Sequence, residues 1–168
     1  GAGADVTIAD IDLNRLREID ILTRGVIKTI YPTPSTIYDQ VAQSDVVVGA
    51  VLVAGAKAPK LISREMVNNM NPGAVLIDVA IDQGGCVEGI RPTSHDSPSY
   101  TENDVLHYAV TNMPGIVGNM ASTSLSNATL PYVKILANEG VHQGIKDNSG
   151  LARGVNTFKG IITYKSLS

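Results

Sequence analysis

Residues Ala74-Val-Leu-Ile-Asp-Val-Ala-Ile-Asp82-Gln-Gly-Gly85 read as one strand, apolar on both faces, interrupted by Asp78 and closed by Asp82 and a glycine pair. Unbroken apolar runs of this kind belong to parallel sheets with helices on both sides, because neither face meets water. In open parallel sheets, ligands bind just beyond the carboxyl ends of the strands. Asp82 is therefore expected at a ligand-facing strand end. Gly84 and Gly85 would let backbone approach whatever lies there. A carboxylate in this place could equally do no more than cap the turn that follows it.

Outward from this strand, strand and helix alternate along the chain. Further strands are expected at Asp5–Asp10, Val26–Tyr31, Val46–Ala50 and Leu106–Val110, with the Val46 strand central in the sheet. Asp12 is placed to cap a helix from Leu13 to Arg24. Thr33 and Pro34 open a short helix to Ala42, proline standing at a first helical position. A small-residue loop over 53–60 leads to a helix from Ser63 to Met70, ended by Asn71-Pro-Gly73. A longer helix from Ser122 to Glu139 should kink at Pro131. The polar, turn-rich segment 86–104 has no clear assignment, and 140–168 suggests only a helix near 142–147 and a strand near 160–164. The βαβ spacing predicts an α/β fold, a doubly wound parallel sheet.

The totals bound the rest. A chain of 168 residues supports one domain with a core, and 43% hydrophobic with 17% charged residues excludes a disordered one. Aromatics are 4%, so the core is built from Val, Ile, Leu and Ala. A net charge of −3 without a basic stripe argues against nucleic acid as a partner. The lone Cys86 forbids an internal disulfide and suits a reducing compartment. No apolar run is long enough for a membrane span and no leader precedes the fold, so a cytoplasmic protein is expected. The opening Gly1-Ala-Gly-Ala-Asp5, without an initiator methionine, reads as the start of a piece of a longer polypeptide.

Gly1-Ala-Gly3 invites a dinucleotide fingerprint, but there a strand precedes the glycines and the ribose acid follows about 20 residues later. Here a strand follows Gly3, and Asp10 is too near. The glycines fit better as the end of the first crossover helix, with Asp10 the acid at the tip of the second strand and the phosphate-binding loop upstream. An acid there bonds both ribose hydroxyls and repels a 2′-phosphate, which implies NAD rather than NADP. Asp10 as a helix-capping or turn acid is the plainer alternative. Arg15 either flanks the adenine or is a solvated surface arginine. Lys57 and Lys60 read as surface lysines. His95, His107 and His142 show no metal-ligand spacing with one another or with Cys86, so no metal is expected. Cys86 lacks a partner base for a nucleophilic role. Neither a G-x-S-x-G elbow nor a P-loop is present.

Four stretches, in order and spacing, resemble alanine dehydrogenase: Val48-Gly-Ala-Val-Leu-Val-Ala-Gly-Ala-Lys-Ala-Pro-Lys-Leu61, Asp78-Val-Ala-Ile-Asp-Gln-Gly-Gly85, His107-Tyr-Ala-Val-Thr-Asn-Met-Pro-Gly115 and Asn127-Ala-Thr-Leu-Pro-Tyr132. The resemblance covers the whole chain. It implies a Rossmann-type NAD-binding domain over 1–140, lacking its first strand and glycine-rich loop, and a tail over 141–168 that packs with a substrate domain. It implies reversible oxidative deamination of L-alanine to pyruvate and ammonium, NAD taking the hydride, by a homohexamer.

By position, Asp10 resembles the ribose-binding acid and Arg15 the basic residue beside the adenine. Val51 and Leu52 resemble the strand-end pair under the cofactor. Val79, Ala80, Ile81 and Asp82 would lie along the nicotinamide half, with Asp82 the active-site aspartate. Arg91 and Val110, Thr111, Asn112 and Met113 would complete that wall. A carboxylate near a nicotinamide can orient water or substrate during proton transfer, while the cofactor carries the hydride chemistry.

The pattern departs from the family at Pro32, where a serine is usual, and at Val117-Gly-Asn-Met-Ala-Ser-Thr123, which lacks the usual proline and basic residue. The family's substrate-handling histidine and lysine have no match in this chain, so the chain alone is expected to be inactive. The nucleotide domain of a transhydrogenase is the enzymatic alternative, and a non-catalytic binding module the other.

Overall fold

The structure is a computed structural model and describes residues 2–167. Gly1 and Ser168, the outermost residues of the expected glycine pair and tail, lie outside the described residues. Gly3 takes a positive φ of 88°, but the helix it was expected to end is not among the described residues.

Strand β1 (Thr7–Ala9) pairs in parallel with β2 (Lys28–Ile30). Helix α1 (Leu13–Thr23) joins them, and Asp12 caps it by accepting the amides of Asn14 and Arg15. Arg24, at φ 54°, and then Gly25 leave the helix in left-handed conformations. Helix α2 (Pro34–Gln43) begins at Thr33, whose hydroxyl and that of Thr36 bond each other's backbone amides. It carries Ile37 and Val41 into the core.

A second, four-stranded sheet has the order β3 (Val46–Gly49), β4 (Val75–Asp78), β6 (Val105–Tyr108), β5 (Ser99–Glu102). The first three run parallel and β5 runs antiparallel to β6. The expected α/β fold with parallel strands is therefore present. Strand β3 is not central as expected. It lies at the sheet edge among the described residues, and Val46 and Val48 are more than half exposed. A central strand needs partners on both edges, and this one has a single neighbour.

The largest correction concerns β4. The strand does not reach Asp82 but stops at Asp78, and Val79–Gln83 forms a 3-10 turn. The cause is Asp78 itself. Its carboxylate accepts the Ala80 amide two residues on, which folds the chain out of the extended state. Gly84 and Gly85, at φ 89° and 74°, end the turn. Burial of β4 is also unequal: Leu76 and Asp78 are fully buried, while Val75 and Ile77 on the other face are only half-buried.

Segment 86–104, unassigned from sequence, contributes β5. Asn103 and Asp104 both take positive φ, 52° and 60°, and join β5 to β6 as a tight hairpin. Helix α3 is short (Arg64–Asn68), capped by Ser63. Helix α4 (Gly118–Asp147) starts earlier than expected and breaks at Gly140 (φ 75°, ψ 168°), not at Pro131. Proline removes one hydrogen bond, which a long helix can tolerate, whereas a residue at that φ cannot continue a helix. Beyond the break the chain folds back, and Gly144 packs on Ile135, Leu136 and Leu151. Helix α5 (Ser149–Arg153) and a hairpin of β7 (Thr157–Phe158) and β8 (Ile161–Ile162) follow.

Candidate active site at the Asp82 turn

Parallel pairing sends the carboxyl ends of β3, β4 and β6 to one edge, so residues 50–52, 79–83 and 109–113 gather there. Asp82 is exposed on its 3-10 turn. Both oxygens of its carboxylate accept the Asn112 backbone N–H, each at 3.2 Å. Asn112 presents that amide because it stands in the left-handed region, φ 53° and ψ 51°, at the start of a 3-10 turn over Met113–Val117. Its carbonyl accepts from Gly115 at 2.8 Å and lies 3.0 Å from Nε2 of His95. His95, set aside from sequence as a metal ligand, thus braces the partner of Asp82. The strand segment before Asn112 is fixed by Thr93, whose backbone bonds Ala109 and Thr111. The side-chain amide of Asn112 has no hydrogen-bond partner among the described residues.

The other expected site residues fall into two groups. Val79, Thr111 and Leu52 are exposed and Val51 and Met113 half-buried, so they offer side chains at this edge. Val110 is fully buried and Ala80 and Ile81 nearly so, which gives them packing contacts in the core. Arg91 places its guanidinium 4.0 Å over the Tyr100 ring, and Tyr100 stacks on buried His107 at 4.8 Å.

Behind the turn lies a feature that sequence reading passed over. Asp78 is fully buried, and its carboxylate accepts the amides of Ala80 (3.0 Å), Cys86 (2.8 Å) and Val87 (3.2 Å). A buried carboxylate is costly unless hydrogen-bonded in this way. The signal was available, since an acid inside an apolar run must find donors. Cys86 packs beside it, and burial, then the Asp78 charge, push its thiol up to about 12. A thiol so protonated is no nucleophile at neutral pH. Gly49 on β3 makes room for that sulfur, because a Cβ there would stand 2.2 Å from Sγ. Lys60 is exposed, as expected, but its ammonium is not free: it donates to the carbonyls of Gly84, Gly85 and Val87.

Asp10 sits half-buried just past β1, and one of its oxygens accepts the Asp12 amide at 2.8 Å. The turn-capping role is therefore real, and the second oxygen has no partner among the described residues. Arg15 pairs with Glu18 at 2.7 Å on the exposed face of α1. Among the described residues no three His, Cys, Asp or Glu side chains gather as metal ligands would. A cavity of about 770 Å³ is lined by His142, Arg153, Phe158 and Tyr164 among others and shares no residue with the Asp82 site.

The family described as "Alanine dehydrogenase/PNT, C-terminal domain" matches residues 1–165. The chain belongs to this family. Its alanine dehydrogenase relatives include that of Halomonas elongata, 45% identical over 168 residues, and alanine dehydrogenase 2 of Staphylococcus aureus, 48% identical over 169. Each match covers 100% of this chain and 45% of the relative. The chain thus spans less than half the length of these relatives. A solved L-alanine dehydrogenase superposes with a TM-score of 0.83 at 41% identity, over 98% of this chain and 45% of that one. The crystal structure of transhydrogenase from Sinorhizobium meliloti superposes with a TM-score of 0.73 at 22% identity, over 98% and 43%. At that identity it shows the fold alone, and the fold is of the Rossmann type.

Proposed function

We propose that this chain forms the nucleotide-binding half of an NAD-dependent L-alanine dehydrogenase, which converts L-alanine to pyruvate and ammonium. The observation that carries the reading is the Asp82 carboxylate, exposed at the carboxyl edge of parallel strands and oriented by Asn112. Identity of 45–48% to alanine dehydrogenases across the whole chain supports it.

The residues present fit a dinucleotide at both ends. Asp10 keeps one oxygen without a partner among the described residues at a strand end, suited to a ribose hydroxyl and hostile to a 2′-phosphate. Val51, Leu52, Val79 and Thr111 offer a largely apolar wall near Asp82, suited to a nicotinamide. The bound nicotinamide would supply hydride transfer. In this reading Asp82 orients the substrate amine or the attacking water and holds a proton at its carboxylate, while Asn112 fixes its direction. In this proposal Arg15 belongs beside the adenine, and Arg91, Ala80, Ile81, Val110 and Met113 to the nicotinamide wall, the buried ones by backing it.

Strands β1 and β3 each have one unpaired edge, which supports a further strand and glycine-rich loop, from an upstream segment, completing one doubly wound sheet. Exposed Met120, Leu125, Leu130 and Val133 on α4 support packing of the 141–168 tail region and α4 against a substrate domain, with 1–140 as the nucleotide domain. We take the assembly to be a cytoplasmic homohexamer. Among the described residues no helix is long and apolar enough to cross a membrane.

The test uses the full-length parent. Alanine-dependent reduction of NAD is expected, with NADH bound more tightly than NADPH in calorimetry. Asp82→Asn should lower kcat by roughly 10²–10⁴-fold with NADH affinity near that of the parent. A parent that binds no NADH and oxidises no alanine would sink the proposal.

A further inference from the structure

We infer that Lys60 is a positioning residue for Asp82, its ammonium gathering the carbonyls that fix the turn on which the aspartate stands. The inference rests on the reading of Asp82 given above. Lys60 Nζ lies 2.7 Å from the Gly84 carbonyl, 2.7 Å from that of Gly85 and 3.0 Å from that of Val87. An ammonium has three N–H donors, and these contacts use all of them. Three carbonyl oxygens aimed at one point repel one another, and no strand or helix brings these three together. A cation at their focus removes the repulsion.

The opposite side of the same segment faces the opposite charge. Asp78 accepts the amides of Cys86 and Val87, at 2.8 and 3.2 Å. Peptide groups between 84 and 87 thus have carbonyls on an ammonium and amides on a carboxylate, both charge-assisted bonds. Such anchoring is needed here. Gly84 and Gly85 both stand at positive φ, and a glycine pair has more backbone freedom than any other residues. Their amides bond Ile81 and Ala80 within the turn, and Lys60 adds an anchor for their carbonyls from outside it.

Lys60 is itself delivered by rigid backbone. Ala58 N–H donates to Gln83 at 2.9 Å, Leu61 N–H to Cys86 at 2.8 Å, and Glu88 N–H to Ile62 at 2.8 Å. Segment 58–62 is therefore laced to 83–88, and the ammonium closes the lacing two residues past Asp82. Among the described residues the Asp82 carboxylate bonds the Asn112 amide alone. If the turn relaxes, the carboxylate loses its direction.

The experiment places Lys60→Met and Lys60→Arg in the full-length parent. Methionine keeps the stem and removes the charge. Arginine keeps the charge but holds its donors in a planar fork that cannot aim at three convergent oxygens. For Lys60→Met, kcat is expected to fall about ten- to a hundredfold, the range a displacement of about 1 Å produces. KM for alanine and the Kd for NADH should stay near those of the parent, and the pH profile of kcat should shift. Amide exchange should quicken over 79–87 and stay unchanged elsewhere, with Lys60→Arg intermediate in both readouts. Parental kcat and pH profile in Lys60→Met overturn the inference, even if its Tm falls, because the lysine is then merely structural. Unchanged exchange over 79–87 overturns it as well. A parent that oxidises no alanine sinks the functional reading alone, and exchange then decides whether Lys60 holds the turn. If Lys60→Met does not fold, the same two readouts on Lys60→Arg decide.

Discussion

Asp82 and Asp10 both follow a parallel strand, yet what stands behind them differs. Behind Asp82 lie Leu76, Asp78, Cys86, Val87, Val105 and Val110, all fully buried. Behind Asp10 lies a pair of three-residue strands, and of α1 only Leu16 is buried. The Asp82 turn is held by three buried amide bonds and a lysine, whereas Asp10 caps its own turn. A strand-end acid is therefore only as rigid as the layer beneath it. The first acid is held by a buried layer of this chain, and the second by little beyond its own turn bond.

The sharpest way to break that contrast is Asp78→Ala. It leaves the amides of Ala80, Cys86 and Val87 buried without partners, at about 1–3 kcal/mol each, so a loss of roughly 3 kcal/mol or more is expected in urea unfolding. Asp10→Ala should cost about 1 kcal/mol or less, since its one capping bond is near solvent. Equal losses at the two positions would erase the distinction.

A smaller effect separates the two glycines of the turn. Gly85→Ala adds a Cβ at positive φ only 2.8 Å from Asp78 Oδ2 and Ile90 Cγ2, so strain and overpacking together should cost about 2–4 kcal/mol. Gly84→Ala meets nothing within 4 Å and should cost only the backbone term, about 1–2 kcal/mol.

The same layer should show in alkali. Cys86 has its thiol pushed up from 9.0 to about 12 by burial and by Asp78. The unfolded chain ionises this group first, so its contribution is complete below pH 9.0 and lost as pH rises toward about 12. Urea midpoints taken through that range should fall more steeply for the parent than for Cys86→Ser. Native Cys86 should also resist thiol reagents until the chain is unfolded. The smallest effect is expected at Arg15→Ala, which breaks an exposed ion pair with Glu18 and should shift stability by less than about 0.5 kcal/mol.

Much of this was legible beforehand, for local reasons. Asp12 and Thr33 stand where helix caps must stand, and both cap; Ser63, read as the first residue of its helix, is in fact its cap. The run from Ala74 reads as a strand buried on both faces; Val75–Asp78 is a strand, with one face fully buried and the other half-buried. Strand β5 escaped because Ser99-Tyr-Thr-Glu102 carries no apolar alternation; it is a strand through its pairing with β6. The Asn103-Asp104 turn was the one local signal for it. Asp82 was legible as the residue to watch, but its place on a turn was not, because Asp78 ends the strand by a hydrogen bond no periodicity records.

By itself the sequence determined the alternation of strands and helices up to β4, the caps of its first two helices and the two acids, because each is set by residues within a turn or two of one another. Tertiary structure alone decided what those residues touch. Lys60 reaches carbonyls 24 to 27 residues away, and Asp82 meets an amide 30 residues on. Such pairings depend on which parallel strands lie side by side, and strand order is settled by packing the whole core rather than by any local stretch.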